Sequence, residues 1–158
     1  MAASLRPYTC CFTGHRRILT GDIGTLPRRL EEEIRSRIRE GFRVFAAGGA
    51  RGFDTLAAET VLHLREEYPH IQLVLILPCR DQTRDWPEEA VQQYETILAR
   101  ADEIIYTAEV YTTGCMLKRN RRLVAESAAC IAYLRQPQGG TAYTVRRARD
   151  QGLRVIII

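Results

Sequence analysis

The sequence predicts an α/β fold: an open, mainly parallel sheet with helices on both faces. Three observations carry this reading. Six strand-like runs recur at intervals of about 25–35 residues, and each gap holds a helix-like segment. Several runs are almost continuously apolar, Leu73–Leu77 and Val155–Ile158 among them, as strands covered on both faces require. Glycines cluster just after strands, where open α/β sheets bind ligands. Together these features describe a three-layer, Rossmann-like arrangement with right-handed crossovers.

The elements follow in order. The first strand covers Thr9–Thr13. Thr25 then stands as an N-cap to a helix over Leu26–Arg39, with Pro27 in the first turn, where a missing N–H is harmless. Leu30, Ile34 and Ile38 repeat every fourth residue and form its apolar stripe, and Gly41 stops it. A strand at Arg43–Ala47 leads to a second helix over Asp54–Glu67, with Asp54 as its cap and Leu56, Ala57, Thr60, Val61 and Leu64 on one face. Pro69 ends that helix before a strand at Ile71–Leu77. The third helix spans Pro87–Arg100 with Val91, Tyr94 and Leu98 inward, followed by a strand at Glu103–Tyr106. The fourth runs over Cys115–Ser127, with Leu117, Val124 and Ala128 at core spacing. A strand at Cys130–Leu134, a helix at Thr141–Gln151 stopped by Gly152, and a strand at Arg154–Ile158 complete the pattern.

A length of 158 residues predicts one domain over residues 1–158, with no linker and no internal repeat. The 46% hydrophobic and 27% charged shares exclude disordered and collagen-like classes. No run approaches the roughly 20 apolar residues of a membrane helix, and the segment Met1–Arg6 has no signal-peptide core. Cys10, Cys11, Cys79, Cys115 and Cys130 form neither a CxxC pair nor a zinc spacing, so no metal is expected. Such cysteines suit small buried residues in a reducing compartment, and a cytoplasmic location is expected. The net charge of +4 contains an imbalance: Lys118 is the single lysine, so 22 of the 23 cations are arginine. Arginine's planar fork grips carboxylate and phosphate, but GC-rich codon usage also favours it. Arg28, Arg29, Arg35, Arg37 and Arg39 on the first helix, and Arg146, Arg147 and Arg149 on the last, read as compositional arginines on solvated faces, whereas Arg16, Arg51, Arg80, Arg84 and Arg119 fall near the carboxyl edge of the sheet.

The strand-to-helix loops hold the candidate site. After the first strand come Gly14, His15 and Arg16, a turn that places donors at the edge. After the second come Gly48, Gly49, Arg51 and Gly52 before Asp54, where missing side chains and a helix start could admit an oxyanion. The spacing is neither GxGxxG nor a Walker loop. The third loop carries Arg80, Arg84 and Trp86, and Trp86 is read either as a base-stacking face or as an anchor of its loop. The fourth helix bears Lys118, Arg119, Asn120, Arg121 and Arg122, four cations within five residues that cannot all face one ligand. Asn120 could bond a sugar or base edge; the cations read equally as a solvated face. Gly139, Gly140 and Thr141 open the last helix. Two glycine-bearing helix starts in one sheet point to an anionic ligand of nucleotide type.

Taken in order, Cys11-Phe-Thr-Gly-His-Arg16, Gly48-Gly-Ala-Arg-Gly-Phe-Asp54 with Ala57-Ala-Glu59, Pro78-Cys79 with Gln82 and Trp86, Arg119-Asn120 and Gly139-Gly-Thr141 resemble the YpsA-like proteins of the SLOG superfamily, the Smf/DprA and lonely-guy group. The resemblance covers about Tyr8 to Ile158. It implies a Rossmann-like fold with a nucleotide pocket, and carries Gly14, His15, Arg16, Gly48, Gly49, Arg51, Asp54, Glu59, Asn120, Gly140 and Thr141 into the site. It supplies no substrate. The lonely-guy motif PGGxGTxxE is absent: Thr144 stands where its glutamate belongs. Ala125 and Ala128 stand where relatives carry acids, with Glu126 offset.

Three functions follow. The first is a cytoplasmic protein that binds or senses a phosphorylated nucleotide-derived ligand of the ADP-ribose, NAD or nucleoside-phosphate class, with no other cofactor. The second is a hydrolase of an N-glycosidic or phosphate bond of such a ligand, with Glu59 as base or ribose contact, because an oxocarbenium-like centre needs a carboxylate. The third is DprA-like single-stranded DNA binding, ranked last because +4 is a modest charge and the sequence shows no aromatic–basic ladder. A homo-oligomer accords with the superfamily, with the outer side of the fourth helix as one surface.

Overall fold

A computed structural model describes residues 4–158; the segment read for a signal sequence begins outside the described residues. Six parallel strands form one sheet in the order β4-β3-β2-β1-β5-β6. They are β1 (Thr9–Gly14), β2 (Val44–Ala47), β3 (Gln72–Leu77), β4 (Glu103–Tyr106), β5 (Ala129–Tyr133) and β6 (Arg154–Ile157). The helices are α1 (Leu26–Arg39), α2 (Phe53–Glu67), α3 (Glu88–Arg100), α4 (Cys115–Ala125) and α5 (Gly140–Asp150). The expected Rossmann-like fold is the observed one.

The strand pleat sorts side chains between two cores. Cys10, Phe12, Phe45, Leu73 and Ile131 face α1, α2 and α3. Their neighbours Cys11, Ala46, Val74 and Cys130 face α4 and α5. A period of two with both faces covered explains why these strands read as apolar runs. Helix α1 buries the expected Leu30, Ile34 and Ile38 together with Leu26. Full burial of each such side chain contributes about 1.5–3 kcal/mol relative to exposure.

Four local expectations are corrected. Thr25 makes no side-chain cap; its N–H donates to the Asp22 carbonyl at 3.1 Å, and the chain enters α1 through a 3-10 turn at Thr20–Asp22. Arg37 is buried rather than outward, clasped by Glu40 at 3.0 Å and Glu33 at 3.6 Å. Helix α4 stops at Ala125, and its buried side is Cys115, Arg119, Leu123 and Val124. Leu117, expected in the core, is 37% exposed because the basic residue two positions on takes the inward direction.

Strand β1 is the pivot of the fold. The chain moves outward from it through β2, β3 and β4, then crosses back through α4 to β5 on its other side. Helices α1 and α5 therefore leave the neighbouring ends of β1 and β5 towards opposite faces. This is the switch point at which open α/β sheets leave a crevice.

Candidate functional site

A cleft of about 290 Å³ opens at that switch point. The β1–α1 loop contributes Gly14, His15 and Arg16, α2 contributes Asp54, α4 contributes Arg119 and Asn120, and α5 with its entry loop contributes Gly139, Gly140 and Thr141. Nine of the residues singled out in the sequence thus meet across four segments. Thr13, Gln136, Gln138 and Met116 also line the cleft. Sequence reading missed them, although both glutamines lie just before the glycine pair.

The two glycine loops do different work. Gly139 has φ +97°, which favours glycine, and caps α5. A Cβ at Gly139 or Gly140 would meet nothing within 4 Å, so the space in front of this helix start is open. The N–H groups of Gly140, Thr141 and Ala142 lie in the first turn, have no intrahelical acceptor, and sit at the positive end of the helix dipole. An anion there would meet donors without displacing a side chain.

The Gly48–Gly52 loop is filled by protein, which corrects its reading as an oxyanion cradle. A Cβ at Gly48 would lie 2.7 Å from Arg119 Nη1 and 2.9 Å from Asp54 Oδ2. At Gly49 it would strike Leu77, and at Gly52, where φ is +78°, the Arg16 carbonyl oxygen. A Cβ at Gly14 would strike the Phe53 ring, which packs beneath β1 against Phe12 and Tyr133. These glycines let α2, α4 and the β1–α1 loop close on one another. Phe53 N–H donates to the His15 carbonyl at 3.2 Å and ties the two loops.

Asp54 is the second residue of α2 rather than its cap, a position that Gly52 takes. Its Oδ2 accepts the Ala50 N–H at 3.2 Å. Asp54 is 6% exposed and Arg119 is 4% exposed. Burial raises the Asp54 pKa to about 6 even though Arg119 and the Ala50 N–H both pull it down. Arg119 is no solvated cation. Its Nη1 donates to the Gly48 carbonyl and its Nε to Asn120 Oδ1 at 2.7 Å. That bond occupies the Asn120 oxygen and leaves its NH2 as the group Asn120 can offer a ligand.

His15 is also a brace. Its Nε2 accepts the Arg135 N–H at 2.7 Å, which puts the ring proton on Nδ1. Burial, and then the charge of Arg135, lower its pKa, so the ring is neutral at pH 7. Tyr133 packs edge to face against the His15 ring at 5.7 Å, and its hydroxyl donates to Asp22 Oδ2 at 2.6 Å and accepts the Leu19 N–H at 3.0 Å. Arg16 is exposed at the mouth and has no acidic partner among the described residues.

Other singled-out residues lie elsewhere. Arg51 and Trp86 line a separate hollow of about 390 Å³ with Thr55 and Gln93, the Arg51 guanidinium 6.0 Å from the Trp86 ring. Trp86 also meets Tyr94 edge to face at 5.4 Å, which fits the anchoring role. Glu59 is exposed on the α2–α3 side, hydrogen-bonded by Gln93 and apart from the cleft. Arg80 is paired with Glu109 at 2.7 Å and Arg84 with Asp81 at 3.3 Å, so both are neutralised locally. They nevertheless stack on Tyr106 and Tyr111, an aromatic–arginine alternation not legible in sequence. All five cysteines are buried and free, and burial pushes Cys79 up to about 11, which suppresses its thiolate. Among the described residues no three His, Cys, Asp or Glu side chains gather to hold a metal, and no helix is long and apolar enough to cross a membrane.

Known proteins share this framework. DNA processing protein A (DprA) from Streptococcus pneumoniae matches with a TM-score of 0.71 at 16% identity, over 97% of this chain and 50% of that one. DNA processing protein A from Helicobacter pylori, whose structure is described for its single-stranded DNA binding mode, matches with a TM-score of 0.70 at 21% identity. That match covers 96% of this chain and 65% of the other. Such identities show a shared fold, and this chain spans about half to two thirds of the length of either DprA. A UPF0398 protein of Bacillus velezensis is 30% identical over 129 residues, 80% of this chain and 71% of that protein. The YpsA family model, described as the YspA SLOG family, matches residues 20–154. With most of its length under that match, the chain belongs to the YpsA family of SLOG proteins.

Proposed function

We propose that the switch-point cleft binds the phosphate of a nucleotide-derived ligand. The observation that carries the reading is the open N-terminus of α5, with Arg16 and the Asn120 amide lining the same cleft. The volume of about 290 Å³ lies at the small end of ligand clefts. It suits a ribose phosphate or nucleoside monophosphate unit, with any further moiety outside. The test is isothermal titration of the full chain with AMP, ADP-ribose and NAD, beside Asn120→Ala. Heat from at least one ligand, lost in the variant, supports the reading; no heat and no thermal shift across the panel overturns it.

Two further readings rest on specific observations. Hydrolysis of such a ligand would use Asp54, the one carboxylate lining the cleft among the described residues, whose pKa of about 6 suits proton transfer near neutrality. Chromatography of ligand incubated with protein would show cleaved product that Asp54→Asn abolishes. Single-stranded nucleic acid binding is supported by the fold shared with DprA and by the basic α4–α5 pair.

A further inference from the structure

Helices α4 and α5 pack side by side and, apart from Arg119 in the cleft, carry a charge excess that the cleft does not use. They hold seven of the 23 cations and one of the 19 acids. The rest of the chain has 16 cations against 18 acids, so the whole positive balance resides on these two helices. Lys118, Arg121, Arg122 and Arg147 converge with Tyr106 and Thr107 on one shallow hollow of about 470 Å³. Arg122 pairs with Glu126 at 2.7 Å. Lys118, Arg121 and Arg147 have no acidic partner among the described residues, and Arg147 Nε is buried without a hydrogen bond. Arg121 of α4, and then Arg147, hold the phenol of Tyr143 on α5 below the ordinary tyrosine range.

Like charges gathered without counter-charge repel, and the fully solvated alternative would spread them apart. Lys118 to Arg122 is one helical turn, about 6 Å along the axis. With Arg147 from the neighbouring helix, that is more charge than one phosphate satisfies. Arginine forks fit phosphodiester oxygens, and these cations reach one hollow from two helices. We propose that the outer face of α4 and α5 is a docking surface for the backbone of a single-stranded nucleic acid. The proposal rests on the nucleic-acid reading above and assigns its surface, outside the cleft.

The test is fluorescence anisotropy of a labelled 20-residue oligothymidylate with the full chain, between 50 and 300 mM KCl. The wild type should bind, and weaken steeply with salt. Arg121→Gln/Arg147→Gln should lose at least about ten-fold in affinity at low salt. Its log–log salt slope should fall by about 1.4, since each single-strand phosphate contact contributes about 0.7. Its melting temperature should stay within a few degrees of wild type, because neither residue is core. Unchanged affinity and slope in the double variant overturn the surface while leaving nucleic-acid binding intact. Absence of wild-type binding overturns both, as does capture by phosphatidylglycerol vesicles without any oligonucleotide binding. Competition by millimolar inorganic phosphate equal to that by oligonucleotide reassigns the hollow to free phosphate and also overturns the proposal.

Discussion

Replacing Asp54 with asparagine should stabilise the protein at neutral pH. The carboxyl is 6% exposed, and burial lifts its pKa from 3.8 to about 6 despite the neighbouring Arg119. A raised pKa means that the folded chain holds the proton more tightly than the unfolded chain does. The stabilising contribution is therefore complete below pH 3.8 and is lost as pH rises through about 6. At about 1.4 kcal/mol per pH unit, ionising this group costs the fold about 3 kcal/mol at pH 7. Asp54→Asn keeps an acceptor for the Ala50 N–H and cannot ionise. Urea unfolding of both proteins from pH 4 to 8 should show near-equal stabilities at the acid end. The variant should gain up to about 3 kcal/mol by pH 7, or about 6–12 °C in melting temperature for a domain of this size. A pH-independent difference would falsify the burial argument. A wild type that gains on the variant as pH rises would mean that Arg119 outweighs desolvation. The same titration should reach the cleft: the affinity for ADP-ribose, whose phosphates keep their charge in this range, should rise more in the wild type than in the variant below pH 6, since His15 titrates in both and Asp54 only in the wild type.

The remaining predictions separate packing glycines from ligand glycines and relocate the acid. Gly48→Ala should destabilise by about 1–3 kcal/mol, because its methyl displaces Arg119 and Asp54; a thermal melt unchanged from wild type would contradict the crowding. Gly140→Ala should leave the melt within about 0.5 kcal/mol, since nothing lies within 4 Å, yet weaken nucleotide binding if a phosphate needs that space. Glu59→Gln should leave nucleotide affinity and any turnover unchanged; a loss of either would return Glu59 to the site.

The framework was legible because its signals are local. Helix α1 and strand β4 fall where apolar spacing and turn residues put them, and the remaining boundaries shift by a residue or two. The site was legible in part. Gly139–Thr141, Gly14–Arg16 and Asn120 could be placed because strand ends in a parallel sheet share one edge. The Asp54–Arg119 relation was not legible, since it joins residues on helices from opposite faces of the sheet, 65 positions apart in the chain. Nor could the sequence distinguish a glycine that admits a phosphate from one that admits a neighbouring side chain. Gly48 and Gly140 look alike as residues, and differ only in what a Cβ would touch. Glu59 drew attention through its family motif, yet five residues after Asp54 the helix has turned it to a different surface.

The arginine excess resolves by geometry rather than by number. On α1 and in the β3–α3 loop, Arg35, Arg37, Arg80 and Arg84 all meet carboxylates, so they add little field beyond their own pairs. On α4 and α5 there is one acid within the helices and Glu126 just beyond α4, so the charge there is not cancelled. The same two helices bring their N-terminal turns to the cleft mouth, where dipole and N–H groups add positive potential of the same sign. An anion approaching this face meets a field that the net +4 understates, because the acidic balance of the remaining chain lies elsewhere. At physiological salt that field reaches only about 8 Å. On the proposed nucleic-acid reading, it would orient a phosphate that has already arrived at the α4–α5 side, and binding there should be sensitive to salt before it is sensitive to base identity.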